Sequence, residues 1–153
     1  MKNRPSDLAI ISLVLLALTA GCGGDDEEGG HGDVPTIAIV TPANGATVTL
    51  GTDVDKSVPV VFTTTYFTMK PPGDCGSLAN CGHIHVSIDG DDCTPSGEAY
   101  NNAGASSPIN ARFALCPLAT GAHEILLDLH TDSHAAILHN NVAIQSKVNV
   151  TTQ

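Results

Sequence analysis

The chain is 153 residues long, room for one ordinary domain, and its 42% hydrophobic content is enough to build a packed core. It has no tryptophan, 3% aromatic residues and six basic against 16 acidic side chains, for a formal charge of −10. This excludes an aromatic stacking platform, a grip on a phosphate backbone and an electrostatic hold on anionic lipid, so no nucleic-acid partner is expected.

Lys2 and Arg4 precede the apolar run Leu8–Ala20, which falls short of the roughly 20 residues that a membrane-spanning helix needs. A short positive start followed by such a run is the layout of a secretory signal peptide. The run closes on Leu18-Thr19-Ala20-Gly21-Cys22, which resembles the bacterial lipobox. That resemblance implies a signal peptide over 1–21, cleavage before Cys22 and lipidation of Cys22 as the new N-terminus. Gly23 in place of an aspartate implies the outer membrane, on its periplasmic or surface face. After Cys22 the cations are Lys56, Lys70, Arg112 and Lys147 against a surplus of acids. Attachment to the membrane therefore rests on acyl chains and not on a basic patch. Gly23–Asp33 (G-G-D-D-E-E-G-G-H-G-D) holds no apolar residue, so 22–33 reads as a self-repelling tether with His31 solvated in it.

From 34 to 153 short alternating segments are separated by turn signals, and no helical period stands out. Thr36–Val40 is β-branched and ends at Pro42-Ala43-Asn44-Gly45; Val48 and Leu50 alternate with threonines; Val58–Phe67 is a long strand candidate. In His83–Asp89, Ile84, Val86 and Ile88 share a face. The sets Ile109, Ala111, Phe113, Leu115 and Ile125, Leu127, Leu129 do the same, as do Val142, Ile144, Val148 and Val150. These segments predict an all-β domain, an antiparallel β-sandwich of about seven to eight strands. Pro35–Val48 (P-T-I-A-I-V-T-P-A-N-G-A-T-V) and Leu118–His123 with the strand after it resemble bacterial immunoglobulin-like domains, which implies that architecture. Gly82-His83-Ile84-His85-Val86-Ser87-Ile88-Asp89, with Gly121-Ala122-His123 and Asp132-Ser133-His134, is similar to a family of small exported bacterial domains of uncharacterised function. That resemblance implies fold and location and no activity.

Four cysteines remain in the exported part: Cys75, Cys81, Cys93 and Cys116. In an oxidising compartment they read as two disulfides, and loop proximity favours Cys75–Cys81 with Cys93–Cys116. The competing reading is a zinc centre of Cys75, Cys81, His83 and His85.

His83 and His85 are the sharpest chemical signal. Residues two apart on a strand point the same way, and because the isoleucines and valine claim the core, both imidazoles are expected to face outward with Ser87. Two imidazoles on a rigid strand make a chelate for Cu or Zn. In a sandwich of this class the third and sixth strands pair antiparallel, which brings His130 to His83 and Asp128 to His85. The expected metal set is His83, His85, His130 and His134, with Asp128 orienting it. His123 falls on the apolar parity and reads as structural, and His139 as a loop residue. Asp89-Gly90-Asp91-Asp92 lacks the spacing of a calcium loop and reads as a solvated acidic turn. Asp89 with Asp91, or Asp128 with Asp132, could form a carboxylate pair, without a marked cleft.

Hydrolase and nucleotide-binding motifs are missing: there is no G-x-S-x-G, H-E-x-x-H or P-loop. His-Ile-His followed by Cys93 resembles copper–zinc superoxide dismutase, but only His83, His85 and Cys93 match, and Thr94–Pro108 supplies no further histidine. The expected function is therefore non-enzymatic: a lipid-anchored exported binding module that coordinates Cu or Zn through the histidine cluster. The alternative is a structural or adhesive domain that binds an envelope protein or glycan without metal. A dismutase-like copper enzyme is the weaker alternative.

Overall fold

Period-two alternation decides which segments pair and which side of each is buried. A computed structural model of the protein describes residues 33–153; the expected signal peptide over 1–21, Cys22 and the expected tether up to residue 32, with His31, lie outside the described residues. Strands β1 (Thr36–Thr41), β3 (Ser57–Thr65) and β7 (Ile109–Arg112) form one antiparallel sheet in the order β1-β3-β7. The second sheet runs β2 (Ala46–Val48), β11 (Gln145–Thr152), β8 (Gly121–Thr131), β5 (Cys81–Ile88), β4 (Thr68–Met69). β6 (Asn102–Gly104) also pairs with β5, so β4 and β6 share its outer edge. β9 (Leu138–His139) and β10 (Val142–Ala143) make a small separate hairpin.

The inward residues of both sheets meet in one core. Val58, Val60 and Phe62 of β3 and Ile109 and Ala111 of β7 come from one side. Ile84, Val86 and Ile88 of β5, Ile125, Leu127 and Leu129 of β8, and Val148 and Val150 of β11 come from the other. Each large aliphatic side chain buried this way contributes about 1.5–3 kcal/mol. The domain is thus an all-β, immunoglobulin-like sandwich, antiparallel except where β2 meets β11 and β4 meets β5.

Three sequence expectations on strands need correction. Phe113–Leu115 is a 3-10 turn, which buries Phe113 but leaves Leu115 exposed. The Val142–Val150 run is broken: Val142 lies in the β9–β10 hairpin at 65% exposure, and the long strand starts only at Gln145. β3 stops at Thr65 because Tyr66 takes a left-handed backbone conformation, so Phe67 is not part of it. Both disulfides form as expected, Cys75–Cys81 and Cys93–Cys116. The thiolate zinc centre is excluded in this oxidised form, because Cys75 and Cys81 bind each other.

Two features of this frame position the site. β5 and β8 pair with His83 opposite His130 and His85 opposite Asp128. Their approach is close at Gly82, where an added Cβ would overlap the His130 carbonyl oxygen. Second, β5 is covered on both faces. Every residue from Cys81 to Val86 is buried, the histidines included, whereas β3 and β8 alternate between buried and accessible positions.

Candidate metal centre

His83 and His85 do lie on the face opposite Ile84 and Val86, but that face is not open to solvent. His83 is 0% exposed and His85 5%. The expectation of outward, solvated imidazoles is corrected here, and the cause is two segments that no alternation pattern reveals. One is the chain after β8. Thr131 ends that strand in a tight turn, with the Ala135 carbonyl accepting from the Thr131 N–H (2.8 Å) and the Thr131 carbonyl from the His134 N–H (3.0 Å). Ala136 then bridges to His130, and the Ile137 N–H donates to the Leu129 carbonyl, so the chain runs back beside β8. His134 sits in this turn with φ of 63°, a left-handed conformation that histidine tolerates better than bulky or branched residues. The other cover is the segment before β6, from which Tyr100 lays its ring over His85 at a centroid distance of 4.0 Å.

The result is three imidazole nitrogens converging on one point. His83 Nε2 and His85 Nε2 are 2.9 Å apart, and each is 3.2 Å from His134 Nδ1. A neutral imidazole carries only one N–H, so three ring nitrogens this close cannot all be satisfied by one another. A point about 1 Å off the plane of the three nitrogens lies ~2.0–2.1 Å from each, the bond length of Zn or Cu to imidazole. The side chains thus offer three vertices of a tetrahedron, all nitrogen, with no thiolate or carboxylate in the set.

Burial keeps two of these rings, His83 and His85, in the form that binds metal. Loss of hydration lowers the pKa of His83, helped by the neighbouring His134 and His130. The same desolvation, with His130 and His83 alongside, pushes His85 down to about 3. Both rings are neutral at physiological pH and present lone pairs.

His130 does not join them, which departs from the expected ligand set. Its Nε2 is 2.7 Å from Asp128 Oδ2 and its Nδ1 3.0 Å from the His134 carbonyl, so both nitrogens are occupied. Its ring instead stacks on His85, with centroids 3.7 Å apart. Burial opposes the His130 cation, but the Asp128 hydrogen bond, the His134 carbonyl and the Asp128 charge together outweigh it, and its pKa is raised. Asp128 orients a histidine as expected, but that histidine is His130. Its other oxygen, Oδ1, is buried and has no partner among the described residues.

No protein-family model and no curated protein matches the chain. Among solved structures it is similar to the fibronectin(III)-like modules of Clostridium thermocellum CbhA, at 11% identity and a TM-score of 0.44, covering 77% of this chain and 96% of that one.

The remaining candidates fall elsewhere. His123 is buried, as its parity implied, edge-on to Phe113 and 2.6 Å from Asp89 Oδ2 through Nδ1. Asp89 is therefore not a solvated turn residue; its other oxygen accepts the Glu124 N–H, tying the end of β5 to β8. Asp132 accepts from the Gly73 and Cys75 N–H groups and pins the first disulfide loop to the His134 turn, so it does not pair with Asp128. His139 is exposed beside Asn140. Sequence reading missed Tyr100 and Glu98, which border a cavity of about 390 Å³ next to the cluster. The one clue was rarity, since the chain has only two tyrosines.

Proposed function

We propose that the protein is an exported metal-binding module that holds one Zn or Cu ion through His83, His85 and His134. The convergence of three imidazole nitrogens within 3.2 Å of one another, two of them on the buried rings of His83 and His85 and the third on the exposed His134, is the observation that supports this reading. Borderline nitrogen donors suit Zn(II) and Cu(II), and a set without sulfur does not favour a soft ion. The Cys22 motif supports delivery of this module to the cell envelope on a lipid anchor, with 22–33 as the tether. Palmitate labelling that is lost on Cys22→Ser would test the anchor separately.

The decisive experiment is titration of the untagged, metal-free chain with Zn(II) and Cu(II) by calorimetry. One equivalent should bind at submicromolar affinity and raise the thermal midpoint, since an ion that binds only the folded state stabilises it. His83→Ala with His85→Ala should abolish the binding while circular dichroism still shows the sheet signal. An unchanged isotherm in that variant, or no saturable binding by the parent protein, removes the reading. In that case the domain would be the metal-free adhesive alternative, recognising an envelope protein or glycan.

A further inference from the structure

The cluster is walled on one side and open on another. His83 is fully buried at its base, while His85 and His134 border the cavity of about 390 Å³ and His83 does not. That volume lies within the range of small-ligand sites. Three protein nitrogens leave a tetrahedral ion one vertex short, the arrangement that distinguishes exchangeable centres from closed structural ones. Resting on the metal-binding reading, we infer that the fourth position is an exchangeable ligand site facing this cavity, and that it takes a small neutral nitrogen donor of the imidazole type.

The chemistry of the walls selects that class. Glu98 and Asp128 bring carboxylates to the cavity, and no lysine or arginine is among the described residues lining it. Both ring nitrogens of His130 are already engaged, by Asp128 and the His134 carbonyl. Asp128 Oδ1 is buried and Oδ2 is taken by His130, so Glu98 is the carboxylate that an incoming ligand meets. A ligand with a lone pair for the ion and an N–H for a carboxylate is complementary to this lining. An anion meets repulsion from Glu98, which no lysine or arginine of the lining offsets. The Tyr100 ring beside His85 adds a flat apolar surface against which an azole can lie. The donor can come from a free small molecule or from a histidine side chain on a partner protein.

The test uses the full chain loaded with Co(II), whose visible bands report ligand number. Binding of Co(II) at the three histidines should give tetrahedral bands, and the His83→Ala/His85→Ala variant should lack them. Adding imidazole should shift the bands saturably, and azide should need at least tenfold more. A blocked histidine, N-acetyl-histidine methylamide, is the second arm. Tighter binding than imidazole assigns the site to a peptide, and weaker binding to a free small molecule. Glu98→Gln should narrow the preference for imidazole over azide severalfold. Co(II) bands that neither imidazole nor the blocked histidine moves overturn this inference alone; the absence of bands overturns it together with the metal-binding reading. Preference for azide over imidazole overturns the assigned ligand class.

Discussion

His130 lies flat on His85, ring on ring, with planes 17° from parallel and centroids 3.7 Å apart. The two are diagonal cross-strand neighbours on β5 and β8, two register positions apart, and their surroundings shift their pKa values in opposite directions. Asp128 favours the protonated form of His130, while burial first and the neighbouring His130 second lower the pKa of His85. Asp128 thus favours protonation of one ring, while burial keeps the adjacent ring a lone-pair donor. His85 is gripped between His130 and Tyr100, so its orientation is fixed before any ion arrives.

This predicts an acid-labile metal-free protein. For His83 and His85 the folded-state pKa lies below the unfolded value, so the unfolded chain binds more protons as pH falls below about 6.5. Their neutrality contributes stability in full above that pH, and the contribution is lost as pH falls towards the folded values. His130 has the opposite sign; its contribution is present below the unfolded value and fades as pH rises through its raised pKa. Between pH 6.5 and 5, His85 alone should account for about 2 kcal/mol of lost stability. Urea unfolding of the metal-free protein at several pH values should show this slope, and His85→Leu should flatten it. Equal slopes in the two proteins would show that His85 titrates normally.

His130 and His134 should separate sharply. His134→Ala removes a converging nitrogen and should lower metal affinity at least a hundredfold. His130→Phe keeps a flat ring against His85 and removes no converging nitrogen, so affinity should fall only about tenfold, the lower end for groups that orient a ligand. Calorimetric titration of both variants with Zn(II) checks this. A larger loss for His130→Phe would restore His130 to the ligand set.

The pairing of β5 with β8 was legible because Ile84, Val86 and Ile88 and Ile125, Leu127 and Leu129 alternate cleanly, and a period of two fixes register once one face is buried. That register correctly set His83 opposite His130 and His85 opposite Asp128. It could not say that His130 would turn to Asp128, since that depends on side-chain rotamers. Nor could it show the burial of β5 on its second face. The cover there comes from the turn at Thr131–Ala135 and from the Tyr100 segment, both irregular and without periodicity. The disulfides were readable from loop proximity, but the buried Asn101, whose amide bonds the Cys93 and Arg112 backbone, was not, because a buried amide leaves no pattern in the sequence.

Gly82 should be irreplaceable in the Gly-His-Ile-His strand. A methyl group at this position meets the backbone carbonyl of His130, which cannot swing aside as a flexible side chain can. Gly82→Ala must part β5 from β8 at the end that carries His83, at a cost of about 1–3 kcal/mol. Metal affinity should fall with it, since His83 and the His130–Asp128 plate would move apart. Thermal unfolding and Zn(II) titration of the variant give both readouts. A variant as stable as the parent would show that the strands tolerate wider spacing.

Asn101 links the second disulfide to the wall of the site. It is 1% exposed, and its amide nitrogen donates to the carbonyls of Cys93 (2.5 Å) and Arg112 (2.9 Å) while its oxygen accepts the Arg112 N–H (2.8 Å). Those bonds hold the irregular segment between Cys93 and β6 against β7, and Tyr100 is the adjacent residue. Asn101→Ala leaves backbone groups without partners and should cost about 2–4 kcal/mol. Asn101→Asp keeps the acceptor but loses both donated bonds and places a charge beside two carbonyls, so it should be no better. If the segment positions Tyr100, Asn101→Ala should also lower Zn(II) affinity severalfold in protein that is still folded, with hydrogen exchange faster at residues 97–104 than in the parent. Tyr100→Ala should reproduce the affinity loss with a smaller effect on stability. Unchanged affinity in both variants would show that the histidines hold their geometry without this wall.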